Sequence, residues 1–433
     1  MIETGNRKMD MLIIFLVALF GFLLIGVPVA FCLGLASLVM MGMQNFGYDV
    51  LVQKMVSGID SFPLLAVPFF MLAGEIMNTG GIAKRIINLS NALVGHITGG
   101  LGLVNIVASM FFGGISGSSV ADTAAIGGLL IPAMTEDGYD ADFSAAVTAS
   151  SSTMGIVIPP SIPMILFGLI SGVSVVKMFL GGIIPGILTG FSLLFLTYFI
   201  SKKRNYPKGD NFSILRVFRA LKESIWAVFL PVIIIGGIIS GYFTPTEAAV
   251  VSVVYALIVS LLIYKEMTIK DLPKILIDTG KTTGIVMLVA GTAMVVAWLL
   301  TIVRIPQTIA TTILSISKNP FVVLLIINFF LLLVGSVMDL TPALLILGPV
   351  LLPVARAVGI DPVFFGVMMV MNLGIGLVTP PVGTILYISC GIAKISLERI
   401  TKAMMPFLVT QVAILLLIII FPQLVLWIPN VVK

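Results

Sequence analysis

Apolar positions along this chain come in long, nearly unbroken runs, with polar residues gathered into short stretches between them. The runs Met11–Met43, Phe321–Val337 and Val409–Phe421 show the pattern most plainly. A helix with one wet face would place polar residues every three or four positions, and a half-buried strand would alternate. These runs do neither, and segments apolar on every side belong in lipid or wholly inside protein. Hydrocarbon gives backbone N–H and C=O groups no partner, so only helices or closed barrels cross it. A barrel would show alternating segments of about ten residues. The pattern therefore predicts an all-α polytopic membrane protein, with membrane segments over 11–26, 28–43, 61–78, 95–112, 142–173, 176–201, 225–241, 246–264, 284–303, 321–335, 362–379, 382–393 and 403–421.

Two stretches, about 113–134 and 335–357, break the pattern: both are rich in glycine and hydroxyls, and each carries one aspartate. A re-entrant helical hairpin explains each, because glycine lets the chain turn and irregular backbone at membrane depth survives only when enclosed by protein or lining a wet cavity. After each comes a Pro-Pro pair, at Pro159-Pro160 and Pro380-Pro381, which removes backbone donors and frees carbonyls. Discontinuous helices are thus expected over about 142–173 and 362–393.

These features come in order and in pairs. Pro28 and Pro245 are 217 residues apart, as are Asp122 and Asp339, and the string G-x-V-x-P-P begins at Gly155 and again at Gly376. Three matches in one order imply a repeat: a first half over 1–201, a basic connecting loop over 202–224, and a second half over 225–433. Inverted repeats with a broken segment in corresponding places mark a secondary-transporter site at the repeat interface.

Composition agrees. The 433 residues are 59% hydrophobic and only 10% charged, far from the quarter or so expected of a chain with a watery surface. The formal net charge of +5 reflects loops rather than a nucleic-acid surface, so no nucleic-acid partner is expected. Lys202, Lys203, Arg204, Lys208, Arg216, Arg219 and Lys222 put the connecting loop in the cytoplasm by the positive-inside rule. Cys32 and Cys390 read as small buried hydrophobes, and His96, the only histidine, excludes a histidine-rich metal site. No phosphate-binding G-x-x-x-x-G-K-[ST] loop occurs, and no histidine or lysine stands convincingly beside the serines, so neither ATP-driven transport nor enzyme chemistry is expected.

The candidate chemistry is oxygen chemistry. Ser116, Ser118 and Ser119 in the first hairpin, with carbonyls freed around Gly155–Pro160, suit a hard cation such as Na⁺. Gly335, Ser336, Asp339 and Thr341, with Gly376, Thr379 and Pro381, repeat the offer, giving one ion site per half. Facing helix N-termini would attract an anionic substrate group. Asp122 and Asp339 either cap helices or tune the ion sites. Glu75 and Glu247 are acids within or at the edge of membrane segments, which makes them functional candidates, although Glu247 also suits a first helical turn. Arg304 either snorkels or pairs with a substrate carboxylate.

GGISGSSVADTAAIGGLLIP (113–132), GIVIPPSIP (155–163), PGILTG (185–190) and GLVTPPVG (376–383), with GVPVAF at 26–31, resemble the large, DctM-like membrane subunit of tripartite ATP-independent periplasmic (TRAP) transporters over nearly the whole chain. The resemblance implies an elevator-type ion transporter in the bacterial inner membrane. Its partners would be a periplasmic solute-binding protein that delivers a small organic acid, and a small four-helix membrane subunit. It implies coupling to Na⁺, two ions or more, with ligands carried to Ser116, Ser119, Gly155, Ile158 and Pro160 in one site and to Gly335, Asp339, Gly376, Thr379 and Pro381 in the other. Ser118, Asp122, Thr341 and Thr384 would face substrate: a four-carbon dicarboxylate, sialic acid or a related sugar acid. The alternative is a stand-alone dicarboxylate or citrate Na⁺ symporter that needs no binding protein.

Overall fold

The computed structural model describes residues 2–209 and 211–432, and its regular structure among them is helical throughout. Eight helices are long and apolar enough to cross a membrane: Phe62–Thr79, Val175–Lys203, Ile214–Ile239, Pro245–Ile263, Ile269–Ile302, Pro320–Val337, Leu340–Ala357 and Leu397–Ile420. Shorter apolar helices, among them Val29–Met43, Gly100–Ser116, Ile162–Ser171, Pro362–Gly376 and Thr384–Ala393, fill the space between. The chain is a multi-pass, all-α membrane protein.

Local chemistry sets the helix starts. Pro28 precedes Val29–Met43, and Pro245 opens the helix whose N-terminus is closed by a reciprocal Thr244–Glu247 capping box. Glu247 is thus a first-turn acid. Asp361 accepts the N–H groups of Val363 and Phe364 at 2.7 and 3.2 Å and starts Pro362–Gly376.

Burial separates helices that look alike in sequence. In the apolar window of Ile214–Ile239 only 28% of residues are buried, against 67% in Leu340–Ala357. Every residue of Pro362–Gly376 except Pro362 is buried, and so is the whole stretch 143–156. Protein encloses these segments, including the hydroxyls of Ser144, Thr148, Ser150, Ser151, Ser152 and Thr153. Leu272–Ile302 packs on Val29–Met43, Asp49–Ile59 and Leu340–Ala357, while Pro245–Ile258 packs on Ala66–Thr79 and Ile214–Ile239 on Ile82–Val94. Leu397–Ile420 leans on Ala141–Ser152, and Gln411 Nε2 donates to the Ser150 carbonyl and to Thr153 Oγ1, both at 2.9 Å.

Several expectations need correction. The connecting loop is shorter than 202–224: Val175–Lys203 is helical to its end and the next helix begins at Ile214, so much of the basic cluster rides on helix ends. The helices expected over 95–112 and 321–335 are observed as Gly100–Ser116 and Pro320–Val337, each running further than expected, up to a break in the chain. Four helices went unforeseen: Asp49–Ile59, Ile82–Val94, Ile305–Ile316 and Gln423–Val431. Cys32 and Cys390 are free and buried, as expected.

Candidate functional site: two helix tips, two broken helices and a shared cavity

Gly117 makes the first break. At φ +62° it ends Gly100–Ser116 in a conformation that burdens any residue with a Cβ. Ser118 accepts the N–H of Ala121 at 3.4 Å and starts the next helical stretch at once, which runs through a π turn at 123–127 to Glu136. The tip presents Ser116, Ser118 and Ser119, with Ser116 Oγ 3.4 Å from both the nitrogen and the oxygen of Ser118.

Against this tip lies the break in the first discontinuous helix. Ala141–Ser152 unwinds through a 3-10 turn at Thr153–Ile156 and a cis Pro159–Pro160 bond, and helix resumes at Ile162 under a Ser161 cap. Ile158 N–H donates to the Met154 carbonyl at 2.8 Å. The two breaks meet backbone to backbone: a Cβ on Gly113 would stand 2.9 Å from the Gly155 Cα, and one on Gly117 2.9 Å from the Pro160 carbonyl. Ile162 N–H donates to the Gly117 carbonyl at 3.3 Å.

The second half has a matching set of contacts. Pro320–Val337 ends, and Leu340–Ala357 begins after two intervening residues, with Asp339 at its cap position. Its neighbour Pro362–Gly376 unwinds into a cis Pro380–Pro381 bond. Gly335 and Gly376 meet so closely that a Cβ on Gly376 would lie 2.6 Å from the Gly335 Cα. Val382 N–H donates to the Ser336 carbonyl at 3.1 Å, the counterpart of the Ile162–Gly117 bond. Thr379 Oγ1 donates to the Ile375 carbonyl at 2.7 Å, and Thr384 Oγ1 to Asp339 Oδ1 at 3.1 Å.

A buried polar rung joins arm to broken helix in each half. Asn105 Nδ2 donates to Thr148 Oγ1 at 2.7 Å and Asn105 Oδ1 accepts from Ser151 at 3.2 Å, whereas Asn372 Nδ2 donates to Asn328 Oδ1 at 2.7 Å. The sequence reading passed over all three asparagines. A lone amide inside an apolar run was the available signal, since such residues in membrane segments find specific partners.

The contacts thus bring the 116–119 tip against the break at Gly155 and Pro160, and Gly335 against Gly376, while Ile158 and Thr379 bond within their own segments. Buried polar atoms mark the first group as fit for a cation: Ser119 Oγ and both carboxylate oxygens of Asp122 are enclosed without a hydrogen-bond partner of good geometry. A buried carboxylate left so is costly unless something positive meets it. Asp122 does not cap its helix; Ser118 does.

A cavity of about 420 Å³ opens beside the tips. Ser118 and Thr341 line it, in keeping with a substrate-facing role, and so do Ser116, Ser119 and Asp339. Asp122 and Thr384, also expected to face substrate, do not: Asp122 is fully buried behind the tip, and Thr384 turns to Asp339. Apolar side chains such as Met71, Phe112, Ile156 and Val286 line much of the rest, and its other polar groups are the candidate Glu75 with Asn78 on Ala66–Thr79, and Asp278, Thr279 and Thr282 on Leu272–Ile302, which no sequence motif singles out.

The model of the family described as "Tripartite ATP-independent periplasmic transporter, DctM component" matches residues 16–424. The chain is 44% identical to the sialic acid TRAP transporter large permease protein SiaM of Vibrio cholerae, covering 95% of this chain and 96% of that protein. It is 42% identical to the 2,3-diketo-L-gulonate TRAP transporter large permease protein YiaN of Escherichia coli, covering 96% and 98%. Among solved structures, the YdaH transporter of Alcanivorax borkumensis shares the fold, with a TM-score of 0.60 at 14% identity over 89% of each chain. This chain belongs to the DctM family, the large membrane component of tripartite ATP-independent periplasmic transporters, and is a transport protein rather than an enzyme.

Proposed function

We propose that this chain couples the entry of Na⁺ to the import of a small organic acid handed over by a periplasmic binding protein, working in the inner membrane with a small four-helix subunit. The observation that carries the reading is the pair of oxygen-rich helix tips, each locked to a broken helix, around one cavity. The matched contacts support two inverted repeats, 1–201 and 225–433, joined through a cytoplasmic basic connection. Each tip with its broken helix forms one Na⁺ site: Ser116, Ser119, Gly155, Ile158 and Pro160 in the first, Gly335, Asp339, Gly376, Thr379 and Pro381 in the second. The hairpins and broken helices move together as the elevator body, and the acid sits in the cavity against Ser118 and Thr341. Relatives named for sialic acid and for 2,3-diketo-L-gulonate support a small organic acid as the cargo.

The energetics suffice without ATP. Each Na⁺ entering down about 100 mV supplies roughly 2.3 kcal/mol before its concentration gradient counts. Uptake of labelled organic acids into proteoliposomes holding this chain and its small partner tests the reading. Accumulation should require both external Na⁺ and the loaded binding protein. Equal uptake of the free acid without the binding protein would favour a stand-alone symporter, and uptake in K⁺ alone would remove the ion sites.

A further inference from the structure

One helix junction occurs in both halves. Thr79 ends Ala66–Thr79, Gly80 follows, and Gly81 at φ +74° starts the short helix Ile82–Val94. Ile302 ends Leu272–Ile302, Val303 follows, and Arg304 at φ +60° starts the short helix Ile305–Ile316. The first junction lies by the basic connection: Arg85 pairs with Glu266 at 2.8 Å, and Ser224 Oγ donates to the Arg85 carbonyl at 2.8 Å. Leu272–Ile302 starts beside Glu266 and, at about 1.5 Å per residue, carries the second junction roughly 45 Å away. The cavity belongs to the first junction. Glu75 and Asn78, in the last turns of Ala66–Thr79, line it with Asp278, Thr279 and Thr282, in the first turns of Leu272–Ile302. No lysine, arginine or histidine lines it among the described residues. Two turns before Gly81, Gly74 backs the first tip, where an added Cβ would stand 3.6 Å from the Ser116 Cα. Two turns before Arg304 the matching residue is Ala297, another small one. It lies three turns beyond the cavity-lining Val286, on the same face of Leu272–Ile302. Arg304 itself is exposed, and its guanidinium has no hydrogen bond or ion pair among the described residues. A left-handed conformation costs arginine what it does not cost glycine, so backbone fit does not account for a long cation at this position.

We infer that Arg304 is the cation that receives the carboxylate of the cargo when the tips stand at the membrane face opposite the basic connection. The inference rests on the elevator reading proposed above. Inverted repeats exchange surroundings as the moving body crosses. Tips that now stand beside Gly74 and Glu75 then stand beside Ala297, with Thr301 and Arg304 further along the same helix and its end. A carboxylate arriving there meets a guanidinium, the side chain best shaped to bind it. After the crossing it faces a wall with two acids, Glu75 and Asp278, and no cation. Loading and release thus differ in charge, which favours capture on one side and departure on the other.

Acid uptake into proteoliposomes holding this chain and its small partner, supplied with loaded binding protein and external Na⁺, tests the assignment in Arg304→Asn and Arg304→Lys. Rates are taken per folded carrier. Asparagine tolerates the left-handed backbone, so the first variant removes the charge without straining the junction, and the second restores the charge. Arg304→Asn should lower the maximal rate about tenfold or more and leave the half-maximal binding-protein concentration within about twofold. Arg304→Lys should recover at least about a third of the wild-type rate. Lys318→Asn, which removes a cation just beyond the other end of Ile305–Ile316, should change neither quantity. A wild-type rate in Arg304→Asn overturns the inference, and so does an equal loss in the asparagine and lysine variants. A raised half-maximal binding-protein concentration at an unchanged maximal rate assigns the arginine to docking and overturns it as well. Each of these results leaves the carrier reading standing while wild-type uptake still needs Na⁺ and the binding protein. Wild-type uptake that needs neither removes that reading, and the inference with it.

Discussion

Asp122 and Ser119 concentrate the ion-site argument in two side chains: three oxygen atoms sit inside the protein with nothing of good geometry to meet them. A folded chain tolerates that where an ion completes the set. We expect Asp122→Asn and Ser119→Ala each to raise the Na⁺ concentration for half-maximal transport about tenfold or more, roughly 1.4 kcal/mol, with folding retained. Unchanged Na⁺ dependence in both variants would show that these atoms serve structure alone. A second residue-scale test concerns Gly376, where an added methyl would meet the Gly335 backbone at 2.6 Å, whereas Gly128 has nothing within 4 Å. Gly376→Ala should cost about 1–3 kcal/mol and show as a lower melting temperature, while Gly128→Ala should be neutral or slightly stabilising. Equal effects at the two sites would mean that the close approach of Gly335 and Gly376 is not a constraint.

Among the elements, the helix–break–helix units depend on polar rungs as well as glycine contacts. A double-mutant cycle on Asn328 and Asn372, with unfolding followed in bicelles, should give a coupling energy of about 0.6–1.7 kcal/mol. A value near zero would mean that the 2.7 Å bond does not hold arm to broken helix. The tips were legible in the sequence because Gly117, Ser118 and the two Pro-Pro pairs disrupt helices for local steric reasons. Their full extent was not, because an apolar arm enclosed by protein has the same composition as one facing lipid, and Gly100–Ser116, buried along most of its length, therefore reads as an ordinary span. Ile82–Val94 escaped for the opposite reason: Lys84, Arg85, Asn88 and Asn91 give it a polar face that a span-length apolar window discards. Within the site, the cation-ligand candidates were legible as motifs. Asn78 and Asp278 on the cavity wall were not, since each stands on a helix with no local irregularity, and only the packing of distant segments brings them to the tips.

For the molecule as a whole, the halves are joined at a polar junction outside the membrane segments. The connection over 204–209 is stapled to the first half: Gly99 N–H donates to the Pro207 carbonyl at 3.1 Å, and Gly209 N–H to the Gly95 carbonyl at 3.1 Å. Tyr206 O–H donates to Asp140 Oδ2 at 2.7 Å, and Arg204 pairs with the same oxygen at 2.9 Å. The tyrosine hydroxyl, with Arg204 beside it, holds the Asp140 carboxyl below its usual 3.8. The stabilisation this lends is present above that value and is lost as pH falls through the lowered one. Tyr206→Phe should therefore lower stability at pH 7, and its difference from wild type should shrink as pH drops below 3.8. A difference constant from pH 7 to pH 3 would contradict the assignment. In the function proposed here, two tip-and-break units each carry a sodium ion with the acid. Its most direct test is the flux ratio of labelled Na⁺ to labelled acid in proteoliposomes supplied with the loaded binding protein. Two or more Na⁺ should enter with each acid, and fewer when Asp122→Asn is introduced; acid entry without accompanying Na⁺ would overturn the two-ion assignment.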